Sequence, residues 1–187
     1  MSEERRKIVT CEGRLAFGRN IFETNEKGRF TLAVVFDQTD ENKACLDDMQ
    51  NLVDETAKMK WAKKPSNFKS PMKVENREDM LEKYQFMKDR VTVNLSNGNA
   101  FPVGTKDEEG MWVDITDKDL KSGDYVQVVL TAYFYDNATK GVGFNVDALL
   151  KTKDGEAFYS KRTGADMFGL AGVAEKPKTE AYDNFGF

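Results

Sequence analysis

Apolar and polar positions alternate with a two-residue step in several stretches of this chain, which is the pattern of half-buried β-strands. The clearest stretch is 125–135. Val126, Val128, Leu130, Ala132 and Phe134 fall on one face, and Tyr125, Gln127, Val129, Thr131, Tyr133 and Tyr135 on the other. Residues 136–141 (DNATKG) read as a turn, and Val142, Phe144, Val146, Ala148 and Leu150 begin an alternating return strand. Upstream, Phe30, Leu32, Val34 and Phe36 alternate in a half-buried strand that follows the turn Asn25-Glu26-Lys27-Gly28. Residues 7–17 are β-prone, end at the turn signal Gly18-Arg19-Asn20, and are expected to pair antiparallel with that strand. Val91, Val93 and Leu95 mark a short strand closed by Ser96-Asn97-Gly98-Asn99. Residues 101–103 suggest a short return strand, 106–110 an acidic turn, and 111–115 another strand.

Between residues 37 and 60 the period changes. Cys45, Met49, Leu52, Val53 and Ala57 recur at three- and four-residue steps, which predicts an amphipathic helix. Its first turns carry Asp40, Glu41, Asp47 and Asp48 and its end carries Lys58 and Lys60, a polarity that suits the helix dipole. Residues 61–76, with Pro65 and Pro71, read as an irregular loop, and 77–88 as either a short helix or an ordered loop. After Arg162 the pattern decays into scattered glycines and then a Lys/Glu/Pro-rich stretch from Glu175. The expected organisation is one domain over residues 1–170 and a flexible tail over 171–187. Several strands, turn-closed hairpins and one inserted helix predict a mainly β fold, an OB-like, small, partly open β-barrel. Periodicity alone does not separate it from other small barrels.

Composition narrows the chemistry. The 187-residue chain has no histidine, which excludes Ser-His-Asp and Cys-His nucleophile systems and every His-containing zinc site. No GxxxxGK[ST] or GxGxxG stretch occurs. A non-enzyme with no cofactor and no metal is therefore expected. No apolar run approaches the ~18 residues of a membrane span, and the charged start leads into no apolar segment, so the expected location is the cytoplasm. Cys11 and Cys45 stand in unrelated contexts, as expected of two buried thiols in a reducing compartment.

The net charge of -4 looks wrong for a partner of nucleic acid, but its distribution alters the picture. Lys58, Lys60, Lys63, Lys64, Lys69 and Lys73 fall in a run without a single acid, while acids collect at 37–55, 107–124 and the C-terminal end. Binding single strands without sequence preference needs cations for phosphates and rings on which bases stack. Residues 58–69 interleave the two, with Trp61 and Phe68 among the lysines; the plainer alternative packs Trp61 onto the core. Tyr133 and Tyr135, opposite the core-forming face, are candidate stacking platforms or ordinary sheet-edge tyrosines. Phe17, Arg19 and Phe22 form a smaller cluster of the same kind. Asp37, Asp40, Glu41, Asp47 and Asp48 could be imagined as magnesium ligands, but adjacent acids at a helix start serve as caps. At the C-terminus, Tyr182, Asp183, Phe185 and Phe187 could enter a basic-rimmed apolar pocket on another protein, or compete with DNA for the protein's own groove.

In this order the elements resemble a family of phage single-stranded DNA-binding proteins, related to those of podophage replisomes. The resemblance covers about residues 14–168. It is carried by Arg14-Leu15, Asn20-Ile21-Phe22, the 29–36 strand leading into the long helix, Trp61 with its Lys/Pro segment, and Ser122-Gly123-Asp124-Tyr125. Further carriers are Tyr133-Phe134-Tyr135-Asp136-Asn137, Lys140-Gly141-Val142, Asp154-Gly155-Glu156 and Arg162-Thr163. The resemblance implies an OB fold, sequence-independent coating of single-stranded DNA in phage replication or recombination, and a tail that recruits replication proteins. The tail departs from the family's acidic pattern, with only Glu180 and Asp183 acidic in the last eight residues. A monomer or homodimer is expected. Alternatives are a protein–protein interaction module of a phage replication complex and a metal-dependent nuclease or annealing factor.

Overall fold

The computed structural model describes residues 5–158. Arg162-Thr163, the domain boundary near 170 and the tail with Tyr182, Asp183, Phe185 and Phe187 lie outside the described residues. Among the described residues nine strands form one mixed sheet: β1 (Ile8–Val9), β2 (Gly13–Asn20), β3 (Phe30–Asp37), β4 (Met72–Val74), β5 (Arg90–Asn97), β6 (Val103–Lys106), β7 (Trp112–Asp114), β8 (Tyr125–Asp136) and β9 (Lys140–Lys153). The hydrogen bonding runs in a ring, β8-β2-β3-β5-β9 and back to β8. Two of its seams are short. β2 meets β8 at Gly13↔Val126 and Arg14↔Tyr125, and β5 meets β9 in parallel at Leu95↔Phe144 and Ser96↔Asn145. The result is OB-like and mainly β rather than a cleanly closed barrel, as the alternation predicts.

Helix α1 (Asp40–Lys60) lies between β3 and β4 in the chain. Thr39 caps it by accepting from the Asn42 N–H, and its acidic first turn and basic last turn follow the dipole. Its buried face is Met49, Leu52, Val53, Thr56 and Ala57, which joins Phe36, Leu130 and Phe144 in the core. This is the expected stripe, with Cys45 only half-buried at its start.

Several expectations need correction. β3 is buried on both faces, because Ala33 and Val35 pack with Ala16 beneath Phe17, Phe86 and Phe158. The covering rings come in part from the segment left open in sequence, which forms α2 (Glu78–Lys83) and a 3-10 turn (Gln85–Met87). Gly18-Arg19-Asn20 is not a turn; β2 runs through it with register shifts, and Leu15 and Ile21 crowd the space where a Gly18 side chain would stand. The expected 61–76 loop contains β4, paired with β5 from Met72↔Val93 to Val74↔Val91. Residues 101–103 do not return along β5; β6 pairs in parallel with β9 and antiparallel with β7. A bulge in the β8–β9 ladder shifts the register past Val146, so Leu149 is buried where Ala148 and Leu150 were expected. Phe134, assigned to the core face, is 39% exposed.

The two cysteines are neighbours rather than unrelated, and both are half-buried. The Cys11 backbone N–H donates to Cys45 Sγ at 3.0 Å. Hydrogen bonding from the Cys11 thiol lowers the Cys45 pKa to about 7, while the same bond and burial raise that of Cys11. Iodoacetamide labelling mapped by mass spectrometry should therefore show Cys45 reacting first, its rate rising as pH passes about 7. Equal rates at the two thiols would contradict the assignment.

Candidate nucleic-acid interface

Strand alternation that sends Leu32, Val34, Val93 and Leu95 into the core leaves Thr31, Ala33, Asn94 and Ser96 on the opposite face. There they floor an open cleft of about 600 Å³. One wall is Phe17, Arg19 and Asn20 from β2 with Tyr84 from the α2 segment; the other is Tyr133, Tyr135 and Gly143, with Lys69, Ser70 and Pro71 above. Of the sequence candidates, Phe17, Arg19, Lys69, Tyr133 and Tyr135 are thus brought together.

The tyrosines owe their pose to the strand beside them. Tyr133 pairs with Gly143 and Tyr135 with Gly141. A Cβ added at Gly143 would stand 2.5 Å from the Tyr133 ring, and one at Gly141 would stand 2.7 Å from the Tyr135 hydroxyl. Each ring therefore lies over backbone that no side chain covers. The ring centroids are 6.3 Å apart, and the Tyr133 hydroxyl is 3.4 Å from Ser96 Oγ. Ser96 Oγ also accepts from Arg29 at 3.0 Å. Burial, followed by the influence of Tyr133, raises the Tyr135 pKa, which keeps that phenol neutral in ordinary buffers. Two flat, half-buried rings set side by side are suited to stacking.

Lys69 is placed by backbone. Its N–H donates to the Lys140 carbonyl at 2.9 Å and its carbonyl accepts from the Val142 N–H at 3.0 Å. This bridge ties the Pro65–Pro71 loop to the start of β9 and leaves the lysine side chain exposed at the cleft rim. Arg19 is exposed on the opposite wall. Tyr84, which the sequence reading passed over, packs edge-on against Phe17 with centroids 5.0 Å apart. The Lys83-Tyr84-Gln85-Phe86 run could have signalled it, since it sets two rings beside a lysine in the segment left undecided.

The remaining candidates sit elsewhere. Trp61 ends α1 and is flanked edge-on by Phe68 and Phe134, so it is half-buried at the rim of the core. Lys58, Lys60, Lys63 and Lys64 surround this cluster outside the cleft lining. The run is acid-free in sequence but not in space. Lys64 pairs with Asp54 at 2.6 Å, Lys60 with Asp136 at 3.7 Å and Lys73 with Glu75 at 2.9 Å. Phe22 is exposed beyond the cleft lining. Of the carboxylates weighed as metal ligands, Asp37 pairs with Arg90, Asp48 with Arg6 and Asp47 with Lys43, and Asp40 and Glu41 lie in the first turn of α1. No helix among the described residues is long and apolar enough to cross a membrane.

The ring of strands, its inserted helix and the cleft of rings and cations define an OB-like binding domain. Residues 6–181 match the family model described as the ssDNA-binding protein of Enterobacter phage Enc34, and the chain belongs to that family. Among solved structures, the single-stranded DNA-binding protein from bacteriophage Enc34 in complex with ssDNA is similar, with 15% identity and a TM-score of 0.67. That match covers 82% of this chain and 89% of the other. A second structure of the Enc34 protein aligns at 13% identity and a TM-score of 0.63, over 87% and 89% of the two chains. The bacteriophage T7 single-stranded DNA-binding protein gp2.5 aligns at 9% identity and a TM-score of 0.59, over 94% and 100%. No curated protein sequence matches significantly.

Proposed function

We propose that the chain binds single-stranded DNA without sequence preference and without altering it chemically, coating strands during phage DNA replication or recombination. The observation that carries this reading is the pair of rings, Tyr133 and Tyr135, laid over Gly143 and Gly141 in a cleft that the exposed cations Arg19 and Lys69 also line. Bases stack on the two tyrosines and on Phe17, and the phosphates pass Arg19 and Lys69. Lys58, Lys60, Lys63 and Lys64, beyond the cleft end, draw the strand in by long-range attraction. Family membership and a fold shared with a protein solved on ssDNA support the reading. Residues 171–187, ending in Phe187, serve in this reading to recruit replication proteins.

A salt titration on single-stranded oligonucleotides tests it. Affinity should fall linearly with salt on a double-logarithmic plot. Replacing Arg19 and Lys69 by alanine should weaken binding alike on all sequences and flatten the slope by roughly 1.4, about 0.7 per phosphate contact on single strands. Binding that is indifferent to salt, or stronger on duplex than on single strands, would overturn the proposal.

A further inference from the structure

A cluster of exposed apolar side chains stands on the β6–β7 hairpin, outside the lining of the cleft. β7 is an edge strand that pairs with β6 alone among the described residues. Its hairpin presents Met111, Trp112 and Val113 at 63%, 44% and 43% exposure. Trp112 is not loose: its indole N–H donates to Asp114 at 2.7 Å, and its ring lies on Gly104, where a Cβ would come within 2.4 Å of it. A large aromatic ring held rigid and left in water is the kind of residue that anchors interfaces. Residues 106–119 around it hold six acids against two lysines, and Glu108 and Glu109 are both exposed. That charge repels phosphate, so the ring is badly placed to stack on a base and well placed to meet a basic protein surface.

Such a surface lies at the other end of the same molecule. Lys69 bridges β9 at Gly141, and β6 joins it at Leu149, Leu150 and Lys151. Nine residues separate Gly141 from Leu150 on β9, or ~30 Å at ~3.3 Å per residue. At the Lys69 end, the last turn of α1 encloses a dent of about 240 Å³ walled by Ala57, Trp61 and Ala62, with Lys58 and the Lys64–Asp54 ion pair (2.6 Å) at its rim. It offers apolar walls of the right scale for one large aromatic side chain, and the exposed Lys58 and Lys63 beside it supply the positive charge.

We propose that the β6–β7 hairpin is a docking surface for a second copy of this chain. Trp112 of one copy enters the Ala57–Trp61–Ala62 dent of the next, and Glu108 and Glu109 face its Lys58 and Lys63. The two patches differ and lie at opposite ends, so the contact is head-to-tail and propagates instead of closing into a dimer. Copies bound side by side on one strand would meet through it, and coating becomes cooperative. The inference rests on the DNA-binding reading, but the two can fail separately.

The test measures the full chain on two single strands, one that holds a single copy and one that holds many. Trp112→Ala should match the unaltered protein on the short strand and lose about tenfold or more of the extra affinity gained on the long one. Because that substitution uncovers Gly104, Glu108→Lys with Glu109→Lys serves as a second variant that leaves the ring in place, and the same loss is expected. Lys58→Glu with Lys63→Glu should weaken binding on the short strand, since it reverses charges that draw DNA in, and should in addition lose the extra affinity gained on the long strand; mixing it with the hairpin charge variant should restore that extra gain. If both hairpin variants keep full cooperativity, or the unaltered protein shows none, the surface does not join copies and the idea falls while DNA binding stands. A loss on the short strand equal to that on the long one would make Trp112 a DNA contact and overturn it as well.

Discussion

Alanine at both Tyr133 and Tyr135 should weaken binding to single-stranded DNA by about 10²- to 10³-fold. A stacked base is worth ~1–3 kcal/mol per ring, and both rings border the same cleft. The fold should survive, since neither ring lies in the core cluster and the Tyr133 hydroxyl has only a long contact to Ser96 at 3.4 Å. The salt slope should stay as it is, because no cation is removed; that separates stacking from the charge loss of the Arg19 and Lys69 variant. Tyr133→Phe should keep nearly all affinity, as the π-face remains. Fluorescence anisotropy with a labelled oligonucleotide reads both numbers. An affinity within about twofold of the unaltered protein after the double substitution would place the bases elsewhere.

Asp124→Ala should cost stability more than any surface change, ~3–5 kcal/mol, because it leaves the Lys121 and Gly155 N–H groups without an acceptor, opens a cavity at a fully buried position and removes one of the two carboxylates on Lys151. Asp124 has no solvent exposure. It accepts from the Lys121 N–H and ammonium, from the Lys151 ammonium at 3.2 Å and from the Gly155 N–H at 3.0 Å. Those bonds hold the 121–124 turn against the chain leaving β9. Gly123 adopts a φ of +99°, and a Cβ at Gly155 would stand 1.8 Å from the Gly123 carbonyl. Arg14 completes the lock by donating to the carbonyls of Gly123 at 3.0 Å and Glu156 at 2.6 Å. The thermal midpoint should fall by roughly 6–20 °C, at ~2–4 °C per kcal/mol for a domain of this size. Asp124→Asn keeps the shape and part of the bonding and should fall between. A shift of only ~1 °C for Asp124→Ala would mean that the turn is held by packing alone.

The strongest periodic signals in the sequence corresponded to real elements. β8, β9, β3 and α1 each present a long run of one period, and each lies where the pattern put it. What stayed hidden depended on partners distant in sequence. The bulge opposite Val129 and Leu130 moves Leu149 inward, but a one-residue shift leaves no mark in an otherwise alternating string. Ala33 and Val35 look like the polar-side positions of a half-buried strand, and only the folding of 77–88 over them makes a second buried layer. The same limit applies to the site. The face bearing Tyr133 and Tyr135 was readable from alternation, whereas the role of Gly141 and Gly143 beneath them depends on register. The lysine run lacked acids in sequence, yet Asp54, Asp136 and Glu75 arrive from α1, β8 and the end of β4 to pair three of its members.

β9 has a further consequence, for synthesis on the ribosome. It is the last strand of the ring, and it supplies Gly141 and Gly143, anchors Lys69, and pairs with β8, β5 and β6. Until it emerges, the earlier strands are left with open edges, and neither the cleft floor nor its rim can be set. Contacts so far apart in sequence form slowly, and unpaired edges invite association meanwhile. Nascent chains stopped before Lys153 should therefore be protease-sensitive and unable to hold a strand, and DNA binding should arrive in one step, late, when the final strand closes the ring.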